Sequence, residues 1–227
     1  MYVDIYYLIL VLPALLIALI TQIGVKSAFN RNNRERLGSG MTGAQAARRI
    51  LDENGLYHVG IERFGGKLTD HYSHRENVIR LSEATYNSSS AAAVGVAAHE
   101  AGHALQYAEE YGPIRMRTAI LPATNIGANL AWPAIIIGYI FGLGPLVYVG
   151  IALFSLAVIF QLVTLPVEYN ASRRAMVVLE NSHMMNEHEL KGARKVLGAA
   201  AATYLAALAV SMANLLRIVL VFGRRRR

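Results

Sequence analysis

The sequence predicts a mainly α-helical integral membrane protein of about four spans, with a small α+β soluble part that carries a short antiparallel or mixed sheet. Three observations predict it. Hydrophobic residues make up 54% of the 227 positions and charged ones only 16%, too apolar a balance for an ordinary soluble domain. Apolar stretches of roughly twenty residues, enough to cross a ~30 Å hydrocarbon core, recur four times. Between the first two lies a polar region, from about residue 30 to 112, that is able to fold in water. A positive mean hydropathy of +0.34 and the absence of cysteine exclude disorder and a disulfide scaffold. They also restrict any transition-metal ligands to seven histidines and fifteen acids. Net charge is +7, of which Arg224 to Arg227 contribute four; the remainder of the chain is too weakly basic for a nucleic-acid binder, and no nucleic-acid partner is expected.

The first span is read from Val3 to Ile23, apolar except for Asp4, Thr21 and Gln22. It is a span rather than a cleaved leader, since it has no basic segment ahead of it and no small-residue cleavage site after it. Stretches from about Ala119 to Phe141 and Pro145 to Leu165, separated by Gly142, Leu143 and Gly144, form a helical hairpin. A fourth, from about Gly198 to Phe222, requires Arg217 to snorkel toward its end. The pairs Gly127/Ala131 and Gly138/Gly142 have the spacing of close helix packing. Twelve Lys and Arg lie between the first and second spans and five between the third and fourth, which places those connections in the cytoplasm. Arg224 to Arg227 conflict with that rule if the last segment crosses fully.

In the polar region, Thr42 and Gln45 make a capping box that opens a helix through Ala46, Ala47, Ile50 and Leu51 and ends at Asn54 and Gly55. Three short strands follow, near residues 57–61, 67–72 and 78–81, and are expected to pair into a small antiparallel sheet with Asp70, His71 and Tyr72 at the end of the middle one. Ser88 is the expected cap of a helix that runs to Tyr111 and stops at Gly112-Pro113. The organisation is therefore residues 1–25 as a membrane helix, 26–116 as the soluble part, 117–166 as the hairpin, 167–197 as a connection, and 198–227 as a hydrophobic segment with a basic tail.

That last soluble helix holds His99-Glu100-Ala101-Gly102-His103. Residues four apart lie about 40° apart around the axis and roughly 6 Å along it, so His99 and His103 aim at one point and can grip one zinc. Glu100 sits about 100° from His99, where it reaches a water on the metal rather than the metal itself, the position of a general base. Two histidines and a glutamate on an Ala-rich helix are costly to bury without such a use. A catalytic zinc takes three protein ligands and a water. Glu168, just past the third span and Pro166, is the leading third ligand; Glu180, His183 and His188 compete. No cysteine and no G-x-S-x-G run support a nucleophile mechanism.

These segments resemble the YugP-like membrane zinc metallopeptidases of bacteria over nearly the whole chain. The resemblance rests on Leu51 to Tyr57, Asp70-His71-Tyr72 with Val78 to Ser82, Ala97 to Leu105, and Leu165 to Ala175. Glu168 to Ser172 is also similar to the EYxAD segment of the heat-shock membrane proteases and CAAX prenyl proteases, whose glutamate is the third ligand; here Ser172 replaces the aspartate. The resemblance implies a zincin-like soluble part, one Zn2+ per chain, and peptide or protein substrates hydrolysed at a bilayer surface. His99, His103 and Glu168 would be ligands, Glu100 the base, and His71, Tyr72, Asn170 and Ser172 candidates for transition-state or ligand support. A non-catalytic, zinc-stabilised membrane scaffold is the alternative. Arg173 and Arg174 are expected to meet lipid phosphates rather than substrate. Oligomeric state is open.

Overall fold

The computed structural model describes residues 4–222. Arg224 to Arg227, with their conflicting charge, lie outside the described residues, as does Val3. A π-helical turn, Tyr7–Val11, leads into α1 (Leu12–Asn32). Next come α2 (Gly43–Glu53), β1 (Gly60–Phe64), β2 (His71–Ser73), β3 (Val78–Ser82), a short α3 (Glu83–Tyr86) and α4 (Ala91–Ala108). Three long helices complete the chain: α5 (Gly112–Ile140), α6 (Gly144–Asn181) and α7 (Glu187–Phe222). Among the described residues, four helices are long and apolar enough to cross a membrane: Tyr7–Asn32, α5, α6 and α7. The chain divides into two compact units, residues 1–22, 112–166 and 202–227 in one, and 23–111 with 167–201 in the other.

The first unit is the membrane-spanning one. Its Leu and Ile side chains are mostly exposed, Ile9, Leu16, Ile20, Ile126, Ile140 and Leu162 among them, as suits a surface meeting lipid tails. The helices touch through small residues: a Cβ on Gly127 would meet the Leu153 carbonyl oxygen at 2.8 Å, and one on Gly150 the Ala131 oxygen at 2.9 Å. Gly138 likewise packs on Val147, but Gly142, expected as its packing partner, has φ +69° and makes the hairpin turn instead. Arg217 does not snorkel. It is buried, its Nε donates to Asp4 Oδ2 at 2.8 Å, and its guanidinium lies 5.2 Å from the Tyr7 ring centre. A carboxylate near the start of the first span thus meets the charge near the end of the last, a cheaper solution in hydrocarbon than an unpaired guanidinium. Tyr139 packs edge-on against Phe222 at 5.2 Å, which joins the end of α5 to the end of α7.

The second unit is built on a mixed sheet rather than an antiparallel one. Strand order is β1-β3-β2, with β1 parallel and β2 antiparallel to β3. The last strand in sequence is therefore central, and its Ile79 and Leu81 are fully buried. Asp70 fixes its end, accepting from the Ser82 amide at 2.7 Å and the Ser82 hydroxyl at 3.1 Å. The capping box forms as expected: Gln45 N–H donates to Thr42 Oγ1, Thr42 N–H donates to Gln45 Oε1, and α2 ends at Asn54 and Gly55. The cap of α4 is Ser90 rather than Ser88, and the helix stops three residues short of Tyr111. Ser88 instead donates to Asn33 Oδ1, a partner fifty-five residues away. One core joins Ile50, Leu51, Ile79 and Leu81 to Ala97, Ala98 and Ala101 of α4, and to Ala175 and Leu179 of α6. The alanine-rich sequence of α4 thus buries it on nearly every side, which is how the site comes to lie inside the unit.

Candidate metal centre

His99 and His103 project from α4, and Glu168 from the part of α6 that follows Pro166. Two glycines allow the close approach that this needs. A Cβ on Gly102 would sit 2.7 Å from the Ala171 carbonyl oxygen, so α4 meets α6 backbone to side-chain-free backbone beside the metal ligands. A Cβ on Gly95 would sit 3.0 Å from that of Ala193, bringing α7 against the same helix one to two turns earlier.

Ligand atoms of His99, His103 and Glu168 all lie within 4.8 Å of one another. Glu168 Oε2 is 3.3 Å from His99 Nε2 and 3.5 Å from His103 Nε2. Donors placed ~2.0–2.1 Å from a tetrahedral zinc stand about 3.3–3.4 Å apart, so these spacings are those of two tetrahedral edges. The two imidazoles stand edge to face, 4.7 Å between centres. Glu168 is only 2% exposed and His103 8%. A carboxylate and two imidazoles brought together out of water, with no lysine or arginine among them, suit a divalent cation.

Each histidine is also held from behind. His103 Nδ1 is 2.9 Å from Gln106 Oε1, and His99 Nδ1 is 3.1 Å from Ser172 Oγ. The serine that replaces the aspartate of the related segment therefore still faces the first helix histidine. Burial, the largest influence on His103, pushes its imidazole down. The bond to Glu168, the charges of Glu100 and Glu168, and the bond to Gln106 outweigh it and hold the ring above its ordinary value. Glu100 is buried next to His99 in sequence and lies outside the three-ligand cluster.

The other expected residues divide. Asn170 accepts from Gln106 Nε2 at 2.9 Å and from Arg174 Nε at 2.7 Å. Arg174 also donates to Glu109 at 2.7 Å and lies over Tyr111, so its guanidinium has protein partners on both sides. His71 and Tyr72 are on β2: His71 Nδ1 lies 2.8 Å from the Thr69 carbonyl oxygen, and Tyr72 donates to Asn77 Oδ1 at 3.1 Å. The Tyr72 ring is 5.8 Å from that of Tyr107, one helical turn beyond His103. Glu180, His183 and His188 are exposed and take no part in the cluster.

Gln106 and Gly102 are the residues that sequence reasoning missed. Their signal was available, since Gln106 is a lone amide three residues past His103 in an alanine-rich helix, and Gly102 a helix-weakening residue between two ligands.

The family model described as "Putative neutral zinc metallopeptidase" matches residues 7–223. The chain is also 45% identical over 216 residues, 95% of its own length and 96% of the relative's, to "Putative membrane protease YugP" of Bacillus subtilis (strain 168). No solved structure matches it. With a match over nearly its full length and a trio of His99, His103 and Glu168 that could hold a metal, this chain belongs to the family described as "Putative neutral zinc metallopeptidase".

Proposed function

We propose that this chain is a zinc-dependent membrane endopeptidase that hydrolyses peptide bonds at the membrane surface. One observation carries the reading: Glu168 Oε2 stands one tetrahedral edge from the Nε2 atoms of both His99 and His103, and among the described residues no fourth protein ligand joins them. A structural zinc site is closed by four ligands, whereas three leave a position for water. That favours catalysis over the scaffold reading.

His99, His103 and Glu168 would hold the zinc, one ion per chain, and it would supply a Lewis acid and a bound water of lowered pKa, ~7. Glu100, buried beside His99 in sequence, would serve as the base that accepts the proton of the attacking water and passes it to the leaving amine nitrogen. Substrate lies extended along β2, an edge strand of the sheet. His71 or Tyr72 on that strand donates to the developing oxyanion, Tyr72 by exchanging its bond to Asn77. The seventeen Lys and Arg of the two long connections support a site on the cytoplasmic side of the cell membrane.

The test separates metal from base. Glu100→Gln should retain one zinc per chain and lose about 10²–10⁴-fold in turnover of a peptide substrate. His99→Ala should lose zinc and turnover together. A Glu100→Gln protein that still cleaves at the wild-type rate ends the mechanism.

A further inference from the structure

We propose that Gln106 is a positioning residue that sets the tautomer of His103 and pins the Glu168-bearing stretch of α6 to α4. The inference rests on the zinc reading above and concerns what holds two of its ligands in register.

Hydrogen-bond polarity fixes every link. The Val167 carbonyl oxygen can only accept, and it lies 2.8 Å from Gln106 Nε2. Arg174 can only donate, and its Nε reaches Asn170 Oδ1, so that oxygen is an acceptor and takes the second proton of Gln106 Nε2 at 2.9 Å. Both protons of the Gln106 amide are therefore committed to α6, and its Oε1 must face His103 Nδ1 at 2.9 Å. An amide oxygen accepts only, so His103 carries a proton on Nδ1. In the neutral ring that leaves the Nε2 lone pair bare and aimed at Glu168. A carbonyl on α6 thus decides which nitrogen of a histidine on α4 is free to bind metal.

The amide is completely buried, and its carbonyl partner belongs to the residue immediately before Glu168. The same side chain that orients His103 therefore also locates the backbone from which the third ligand projects. His99 has a separate support, Ser172, which provides an internal control.

The experiment uses the full chain in detergent with zinc as the probe, and reads the dissociation constant by chelator competition, thermal stability, and solvent exchange of the histidine Nδ1 protons in the zinc-loaded protein. Gln106→Leu removes both roles. Zinc affinity should fall about 10–100-fold, and the His103 Nδ1 proton should exchange freely while that of His99 stays protected. Gln106→Glu keeps an acceptor for Nδ1–H but sets a carboxylate against the Val167 and Asn170 oxygens. Zinc affinity should then stay at or above the wild-type value while thermal stability falls, a split that a purely structural glutamine would not produce. Affinity within twofold of wild type in Gln106→Leu overturns both roles of Gln106 while leaving the zinc site standing, and an equal loss in both variants overturns its setting of the His103 tautomer. A wild-type chain that takes up no zinc overturns both.

Discussion

The two units use the same device, a glycine pressed against a neighbouring backbone, to different ends. In the membrane-spanning unit, Gly127 and Gly150 let α5 and α6 approach, and only more apolar packing surrounds them. In the other unit, Gly102 lets α4 approach α6 between His99 and His103 of the candidate metal centre and opposite the turn that carries Glu168 and Ser172. A contact distance of the same size thus joins apolar surfaces in one place and gathers the His99, His103 and Glu168 cluster in the other. What a small residue does depends on which side chains ride on the backbones it brings together.

Gly102→Ala should therefore have the largest effect. Its Cβ meets a backbone oxygen rather than a flexible side chain, so α4 and α6 must separate. A displacement of that order costs about 10²-fold in turnover, and zinc affinity should fall with it, while Gly150→Ala should leave both intact. Equal kinetic losses in the two variants would break the comparison. Arg217→Leu comes next. It strands Asp4 near the start of the first span and should cost about 3 kcal/mol, the low end for a broken buried pair, because Asp4 keeps 19% of its side chain exposed. Unfolding in detergent measures it, and adding Asp4→Asn should recover part of the loss. Gly150→Ala should cost about 1–3 kcal/mol through overpacking, seen in the same unfolding measurement with kcat unchanged.

The smallest effect is a pH dependence. Metal-free His103 holds its proton to a higher pH than an ordinary imidazole. Zinc must displace that proton below the raised pKa, so the dissociation constant should rise about tenfold per pH unit for each proton displaced as pH falls, and level off well above it. The profile should be the same in Gly150→Ala, whose substitution touches no titrating group of the site.

Local patterns were legible in the sequence; partners distant in sequence were not. The HExxH spacing, the Thr42/Gln45 box and the four apolar stretches are each contained in a few turns of chain, and each appears in the structure. Glu168 was readable because a carboxylate just past a span and a proline calls for a reason. The order of the sheet was not, because nothing in residues 57 to 82 says that the last strand enters between the first two. Ser88 and Ser90 are equally good caps in the sequence; in the fold both donate to Asn33 Oδ1, and only Ser90 also accepts from the Ala93 amide. Arg217 resembled a snorkelling side chain because its partner lies 213 residues away. Gln106 passed as an ordinary polar residue near a helix end, since its significance lies in Val167 and Asn170, more than sixty residues on.

The fixed polarity of the bonds behind His103 has one more consequence. Gln106 and Arg174 both donate into Asn170 Oδ1, so the row of bonds leading from the metal ligand to the exposed Glu109 reverses direction on the way. Grotthuss-style hopping needs every link to point the same way and to be able to flip, and a guanidinium that cannot accept blocks it. This row is a brace and not a wire: it ties His103 to Glu109 without offering a path for a proton between them.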